Sequence, residues 1–335
     1  MFVNYLHTGH DGIVIALLNP MRTPKNILVV GDLILDVFHH GAFIGNSLSH
    51  AKTPVAFQKS SSYMWGGAGF VVRNILALGG RVSFVSALGA DTSAELAYRF
   101  QHPRLKKLFL KIPHKPTTVK QRFWVGEEKV LNWHQFNNTP ISKAFARKLL
   151  ARVRAELPSS DTVIIADYRH GLLSHSIAKV IVQECARRGV PLYIDSQITY
   201  DHDVNHGWYA GASVFCLNLK EARSIDPKFD SKKMKMSLMR LQKSLRTQGL
   251  VVKLGAQGSA ALIGAEYIKT SAHKVKEVDA TGAGDSFISA LSLGAYSPTR
   301  KDLECANIWA ALSTTKIGTV IPSVSEFRAH RKRSI

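Results

Sequence analysis

Short apolar runs rich in branched residues alternate along this chain with longer stretches whose apolar positions recur at helical spacing. Residues 26–30 (NILVV), 81–86, 162–166 (TVIIA), 191–195 (PLYID), 213–217, 250–254 (LVVKL) and 259–263 read as strands. Helical periodicity covers residues 68–78, 143–156, 174–188, 237–247, 284–293 and 303–317. Strands joined through whole helices predict βαβ units, hence an α/β fold with a mainly parallel central sheet and helices on both faces. One region breaks the rhythm. Residues 117–124 and 129–135 alternate around Val125-Gly126-Glu127-Glu128, the pattern of a hairpin. With the non-helical stretch 43–59 it predicts a small second sheet projecting from the body. Ligands of open α/β sheets bind beyond the carboxyl ends of the strands, so the residues that follow each strand are the candidates for chemistry.

Composition narrows the class without choosing a function. With 45% hydrophobic and 20% charged residues over 335 positions, the chain can bury a large core, which excludes disordered, collagen-like and coiled-coil classes. Its 44 Lys+Arg outnumber 24 Asp+Glu, and the formal charge of +20 favours anionic partners: phosphorylated metabolites, nucleic acid or an acidic membrane surface. Three scattered cysteines, Cys185, Cys216 and Cys305, form no C-x-x-C pair. That argues against a disulfide framework or a zinc site and suits a reducing, cytoplasmic setting. No apolar run reaches the roughly 18 residues of a membrane span. The apolar stretch 12–18 follows Asp11 without a basic flank and does not read as a signal peptide. Residues 1–21 precede the first strong strand and read either as an extension outside the fold or as a consequence of start-site choice.

The sharpest local signal is Val278-Asp279-Ala280-Thr281-Gly282-Ala283-Gly284-Asp285-Ser286-Phe287, which opens into an apolar helix. Small residues let the backbone approach a ligand, amides at a helix N-terminus attract anions, and Asp285 is placed to take a proton from an attacking hydroxyl. The same string is equally an ordinary helix start, with Thr281 or Asp285 as cap. Leu254-Gly255-Ala256-Gln257-Gly258, taken alone, is a glycine turn after a strand. Gly31-Asp32-Leu33-Ile34-Leu35-Asp36 puts two carboxylates after the first strand, and Gly66-Gly67-Ala68-Gly69 precedes a helix. Asn218-Leu219-Lys220-Glu221 is by itself a complete capping arrangement. No G-x-x-x-x-G-K-[ST] loop, G-x-S-x-G elbow or H-E-x-x-H motif occurs, and the 14 histidines are scattered.

Taken in chain order, the motifs G-D-x-x-x-D, G-G-A, D-Y-x-x-G, N-x-x-E, G-x-x-G and D-x-T-G-A-G-D resemble the ribokinase-like (PfkB) carbohydrate kinases over about residues 27–325. The resemblance implies a ribokinase-like kinase domain at 22–327 with a β-sheet lid from segments 43–59 and 116–136, followed by a basic tail at 328–335. It implies ATP-dependent phosphoryl transfer to a hydroxyl of a sugar or sugar phosphate, with Mg2+ and, in many members, a monovalent cation such as K+. By that pattern Asp285 is the general base, and Gly282, Ala283 and Gly284 form the anion hole for the transferring group. Asn218 and Glu221 organise Mg2+ and its waters; Lys253, Gly255 and Gly258 border the nucleotide phosphates; Asn307 borders the adenine; Asp279 lies near the monovalent cation. Asp32, Asp36, Gly66, Gly67, Phe70, Lys120, Arg122 and Asp167 face the acceptor, and the lid sheet joins two copies into a homodimer.

Smaller matches resemble kinases of heptose 7-phosphate: Thr53-Pro54-Val55, Pro116-Thr117-Thr118-Val119-Lys120-Gln121-Arg122, Ala166-Asp167-Tyr168-Arg169-His170-Gly171 and Gly318-Thr319-Val320. Departures gather at the sugar end. Phe70 stands where the family places a sugar-binding Asn, Lys52 replaces a Glu, and Asp195-Ser196-Gln197 replaces D-P-K. Lys253 stands where Thr or Ser is common. A kept transfer machinery beside an altered sugar end predicts a changed acceptor, whose own phosphate would meet Lys120, Arg122 or Arg73. The other reading is a kinase-fold protein that binds nucleotide or nucleic acid without turnover. It draws on Arg104, Lys106, Lys107, Lys111 and Lys115 and on the tail cations Arg328, Arg331, Lys332 and Arg333. The intact Asp285 and its glycines, and the lack of an RNP aromatic pair, favour the enzyme and make nucleic acid an unlikely partner.

Overall fold

The structure, a computed structural model, describes residues 24–50, 52–199 and 203–332; the expected extension 1–21 and the end of the tail lie outside the described residues. Strand β1 (Asn26–Gly31) is apolar on both faces. Its alternation sends Ile27 and Val29 into one core and Leu28 and Val30 into the other, as a strand covered on both sides requires. Around it runs a nine-stranded sheet. On one side lie β4 (Arg81–Leu88) and β5 (Leu105–Lys111); on the other lie β8 (Thr162–Asp167), β9 (Leu192–Ser196), β10 (Val214–Asn218), β11 (Gly249–Lys253), β12 (Ser259–Ile263) and β13 (Glu266–Thr270). Pairing is parallel from β5 to β11, and β12 and β13 close the edge antiparallel.

Helices α1 (Ala68–Ala77), α7 (Ala283–Ser292) and α8 (Arg300–Ser313) cover the first core. Helices α3 (Lys143–Glu156), α4 (His175–Arg188) and α6 (Met234–Leu245) cover the second. Three short helices complete the set: α2 (Thr92–Tyr98), α5 (Leu219–Ile225) and α9 (Val324–Lys332). The stretch expected as a tail at 328–335 thus begins inside a helix. Phe327, fully buried, meets Trp309 edge-on at 5.7 Å and anchors α9 to α8.

The second sheet has the order β3-β2-β6-β7, with β2 (Leu33–Asn46), β3 (Pro54–Gly67), β6 (Thr118–Val125) and β7 (Glu128–Gln135). It begins at Leu33, ten residues before the expected start of the lid at 43, because only Asp32 separates β1 from β2. The inner half of β2 is buried against the body, so its apolar residues do not alternate, and they look like a continuation of β1. Asp36 therefore lies within the lid sheet, in register with Met64 on β3 and Lys120 on β6. The expected hairpin is β6–β7. Phe43, Phe57, Leu131 and Trp133 at the outer end of this sheet are exposed.

Candidate active site

Five parallel strands end on one rim. β1 runs into Asp32, β8 into Asp167 and Tyr168, β9 carries Asp195, β10 ends at Asn218 and β11 at Lys253. The first turn of α7 meets that rim. Gly282 has φ +81°, and a Cβ there would lie 2.4 Å from Phe70 Cε1, so only glycine fits both the conformation and the space. Asp285 stands half-buried in the same first turn, and the Tyr168 hydroxyl donates to its Oδ1. Burial pushes the Asp285 carboxyl up to about 7, helped by the like charge of Asp195, while the Tyr168 bond and Lys253 pull it down.

Lys253 Nζ lies 3.3 and 3.4 Å from the two Asp195 oxygens, and 3.0 Å from where a Gly284 Cβ would stand. Burial opposes its charge, but Asp195 and Glu221 hold the ammonium protonated above the ordinary lysine range. Asn218 and Glu221 form the expected reciprocal cap: Glu221 N donates to Asn218 Oδ1 and Asn218 N to Glu221 Oε2, each at 2.8 Å. Burial lifts Glu221 to about 7 against the pull of Lys253. Gly255 and Gly258 bracket the turn between β11 and β12. Beside it, Asn307 Nδ2 donates to Thr270 Oγ1 at 2.8 Å and Ser259 Oγ at 3.2 Å, so its amide stitches β12 to β13 at that corner.

The acceptor end is assembled from the lid. Arg122 Nη1 donates to Asp36 Oδ1 at 2.7 Å, a largely buried ion pair. Arg73, on α1, is pushed down to about 10 by burial, with Asp36 opposing the shift. Lys120 is lowered by burial in the field of Asp36 and Arg122, and its Nζ stands 6.0 Å from the Tyr168 ring centre. Gly66 backs this cluster: a Cβ there would lie 2.0 Å from Asp36 Oδ2, so the carboxylate rests directly on the backbone. Gly67 starts α1.

Other expected acceptor ligands are placed differently. Asp167 is buried, and its Oδ2 accepts from Asn205 Nδ2 (2.6 Å), Tyr209 Oη (2.8 Å) and Ser196 Oγ (3.2 Å), while Oδ1 accepts from Arg169 N (2.9 Å). That buried carboxylate secures the loops after β8 and β9. Phe70 is fully buried between α1 and α7, under Gly282, and supports the turn rather than lining the acceptor side. Asp32 Oδ2 accepts from Tyr168 N (2.9 Å) and His170 N (3.3 Å), so part of that carboxylate also orders the loop after β8; burial and the charge of Asp167 raise it to about 7. Asp279 Oδ1 accepts from Thr281 Oγ1 and N, and Oδ2 from Gly318 N at 2.9 Å. It clasps the turn at Thr281 to the loop at Gly318.

In the sequence Tyr168 and Asp195 stand only as parts of motifs, with no role attached to either. Their position immediately after or at the end of parallel strands was the signal. The basic run before the lid is tied to its own chain: Lys106 pairs with Glu156 at 2.6 Å, Lys107 donates to the carbonyls of Tyr98 and Phe100, and Lys115 to that of Thr139. Among the described residues no helix is long and apolar enough to cross a membrane.

Comparison with known proteins bears on the fold and the family. A curated relative named bifunctional protein HldE, from Nitrobacter winogradskyi, is 32% identical over 317 residues, covering 91% of this chain and 63% of its own length. The chain thus spans about three-fifths of the length of the curated relatives it matches. Phosphofructokinase-2 from Escherichia coli in complex with potassium superposes with a TM-score of 0.76 at 15% identity, over 93% of this chain and 100% of that one. An Arabidopsis thaliana ribokinase complexed with ribose and ATP gives 0.68 at 18% identity, over 92% and 99%. These likenesses show the ribokinase-like fold. The family described as pfkB family carbohydrate kinase matches residues 25–326. The chain belongs to that family and is an enzyme that phosphorylates a sugar.

Proposed function

We propose that this chain transfers the γ-phosphoryl group of ATP to a hydroxyl of a sugar that already carries a phosphate, of the kind represented by heptose 7-phosphate. The observation that carries the reading is the position of Asp285. It sits half-buried at the start of α7, between Lys253 on the nucleotide side and Lys120 on the acceptor side, each within its electrostatic field. Asp285 Oδ accepts the acceptor's hydroxyl proton as the new O–P bond forms. The bond from the γ-phosphorus to the bridging oxygen breaks, and ADP leaves with the electron pair. The amides of Gly282 and Gly284 neutralise charge on the passing group, while that of Ala283 donates to Ala280 O at 3.2 Å and holds the turn. ATP as donor is supported by the Arabidopsis ribokinase relative, whose complex holds ATP.

Mg2+ fits the nucleotide side. Asp195, Glu221 and Asp285 surround a single ammonium, and this surplus of carboxylate suits a divalent cation bound through its water shell. There Glu221, with Asn218 fixing its rotamer, would hold the ion's waters; the ion supplies charge neutralisation on the phosphates. On the acceptor side Arg73, Lys120 and Arg122 outnumber Asp36, which supports an anionic acceptor.

The test is ADP release with ATP and Mg2+ across neutral sugars and their phosphates, heptose 7-phosphate included. The expected result is a kcat/KM at least about tenfold higher for a sugar phosphate than for its neutral counterpart, as a charged hydrogen bond implies. Equal rates on the two overturn the anionic acceptor, and no ADP release overturns the reading as a whole. The exposed apolar residues of the lid support pairing of two copies through it. The dependence of the same rate on protein concentration checks that pairing, and a specific activity flat through a monomeric range overturns it.

A further inference from the structure

Lys253 is in register with Asn218 at the rim and keeps only 15% of its side chain exposed. Its 3.3 and 3.4 Å contacts with Asp195 are longer than the ~2.7–2.9 Å of tight charge-assisted bonds. The ammonium is thus shared between two oxygens and locked to neither. Its other side faces the first turn of α7, where the missing side chain of Gly284 lets Nζ come within 3.0 Å of the ideal Cβ position. The next residue is Asp285. A cation with three donors therefore stands between the carboxylates of the nucleotide side and the amides of the anion hole.

We propose that Lys253 is a catalytic residue: its Nζ donates to a non-bridging oxygen of the γ-phosphoryl group while that group passes from the nucleoside triphosphate to the acceptor, and Asp195 is its positioning residue. The inference rests on the kinase reading above. Lys253 keeps all its protons throughout. The acceptor proton goes to Asp285, the acceptor O–P bond forms, and the bond to the bridging oxygen breaks. What Lys253 supplies is fixed positive charge where negative charge spreads over the equatorial oxygens, and fixed charge inside a water-poor site needs no reorganisation at the moment of transfer.

The experiment compares wild type, Lys253→Met and the double variant Asp195→Asn/Lys253→Met. Steady-state ADP release gives kcat and KM, titration calorimetry compares ADP with a non-hydrolysable triphosphate analogue, and melting reports stability. In Lys253→Met kcat should fall about 10²–10³-fold, the size of losing one oxyanion donor. Affinity for the triphosphate analogue should fall about tenfold while that for ADP changes by less than about twofold, because the contact is to the terminal phosphoryl group. A lysine that only balanced buried charge would be dispensable once Asp195 is neutral as well. The double variant is therefore expected to regain the wild-type melting temperature but not kcat. Recovery of kcat in the double variant, near-wild-type kcat in Lys253→Met, or equal loss of ADP and analogue affinity would each overturn the proposal. Turnover by wild type with an unimpaired Lys253→Met variant removes this inference alone. A wild type that releases no ADP from any sugar or sugar phosphate removes the kinase reading with it.

Discussion

The two ends of the cleft are built on different principles. At the transfer end, one loop-to-helix segment from Asp279 to Asp285 supplies the turn, the amides and the base, and Asp195 on β9, Lys253 on β11 and Glu221 on α5 add charge. At the acceptor end, the polar groups come from α1, β2 and β6, two of them strands of the separate lid sheet, and they meet through a buried Arg122–Asp36 pair. The first arrangement fixes atoms to within the tolerance that phosphoryl transfer needs, since backbone and rigid strand ends hold it. The second holds charge in place but leaves shape to the lid. Chemistry is thus invested in the sheet and selectivity in the lid, and the two are separable by mutation.

The largest expected effect lies at the transfer end. Asp285→Asn keeps the size of the side chain and removes the proton acceptor, so kcat should fall about 10²–10⁴-fold with either a good or a poor acceptor. Nucleotide affinity measured by calorimetry should stay within about threefold, because the amides and Lys253 remain. A variant that keeps near-wild-type turnover would remove the distinction between the two ends, for the base would then lie elsewhere.

How much of this was legible in the sequence differs between the ends for the same reason. The transfer motif is local, so seven consecutive residues display it, and the strands feeding the rim are continuous apolar runs. The acceptor end depends on pairing between β2 and β6, some eighty residues apart, which no local pattern reveals. Phe70 and Asp167 stand in motifs whose family pattern makes them acceptor ligands. Their burial, against Gly282 in one case and within a closed hydrogen-bond set in the other, is a tertiary fact. Missed elements share a cause too, polar residues that mask the apolar pattern. β5 (LKKLFLK) and β13 (EYIKT) are edge strands whose charged residues hide it, and α9 hides one anchoring Phe327 among basic residues.

A change of intermediate size should separate the ends from the lid side. Arg122→Ala removes a charged donor from the acceptor cluster and leaves Asp36 without its 2.7 Å partner. Loss of a hydrogen bond to a charged group amounts to about 1.5–3 kcal/mol, so the acceptor's KM should rise about tenfold or more. The KM for ATP should stay within about twofold, since the ion pair of Arg122 is with Asp36 on the acceptor side. Arg122→Ala/Asp36→Asn controls for the carboxylate left unpaired: it should restore stability without restoring the acceptor's KM. Parallel rises in both Michaelis constants would show that the lid and the sheet act as one unit.

The smallest effect concerns Tyr168, the residue that touches both ends. Its ring faces Lys120, and its hydroxyl donates to Asp285. Asp285 must be ionised to accept a proton, and burial has moved its carboxyl up to about 7, so kcat/KM should fall as pH drops through that value. The Tyr168 hydroxyl stabilises the ionised form and so holds this limb lower than burial alone would. Tyr168→Phe deletes only the oxygen and should move the acid limb toward higher pH, by up to about one unit for a hydrogen bond of ordinary strength. Above the shifted limb, at about pH 8.5, the variant should regain most of the wild-type rate; at about pH 6.5 it should lag several-fold. A purely structural tyrosine would lower the rate equally at all pH values, and an acid limb that does not move in Tyr168→Phe would show that the hydroxyl leaves the base untouched.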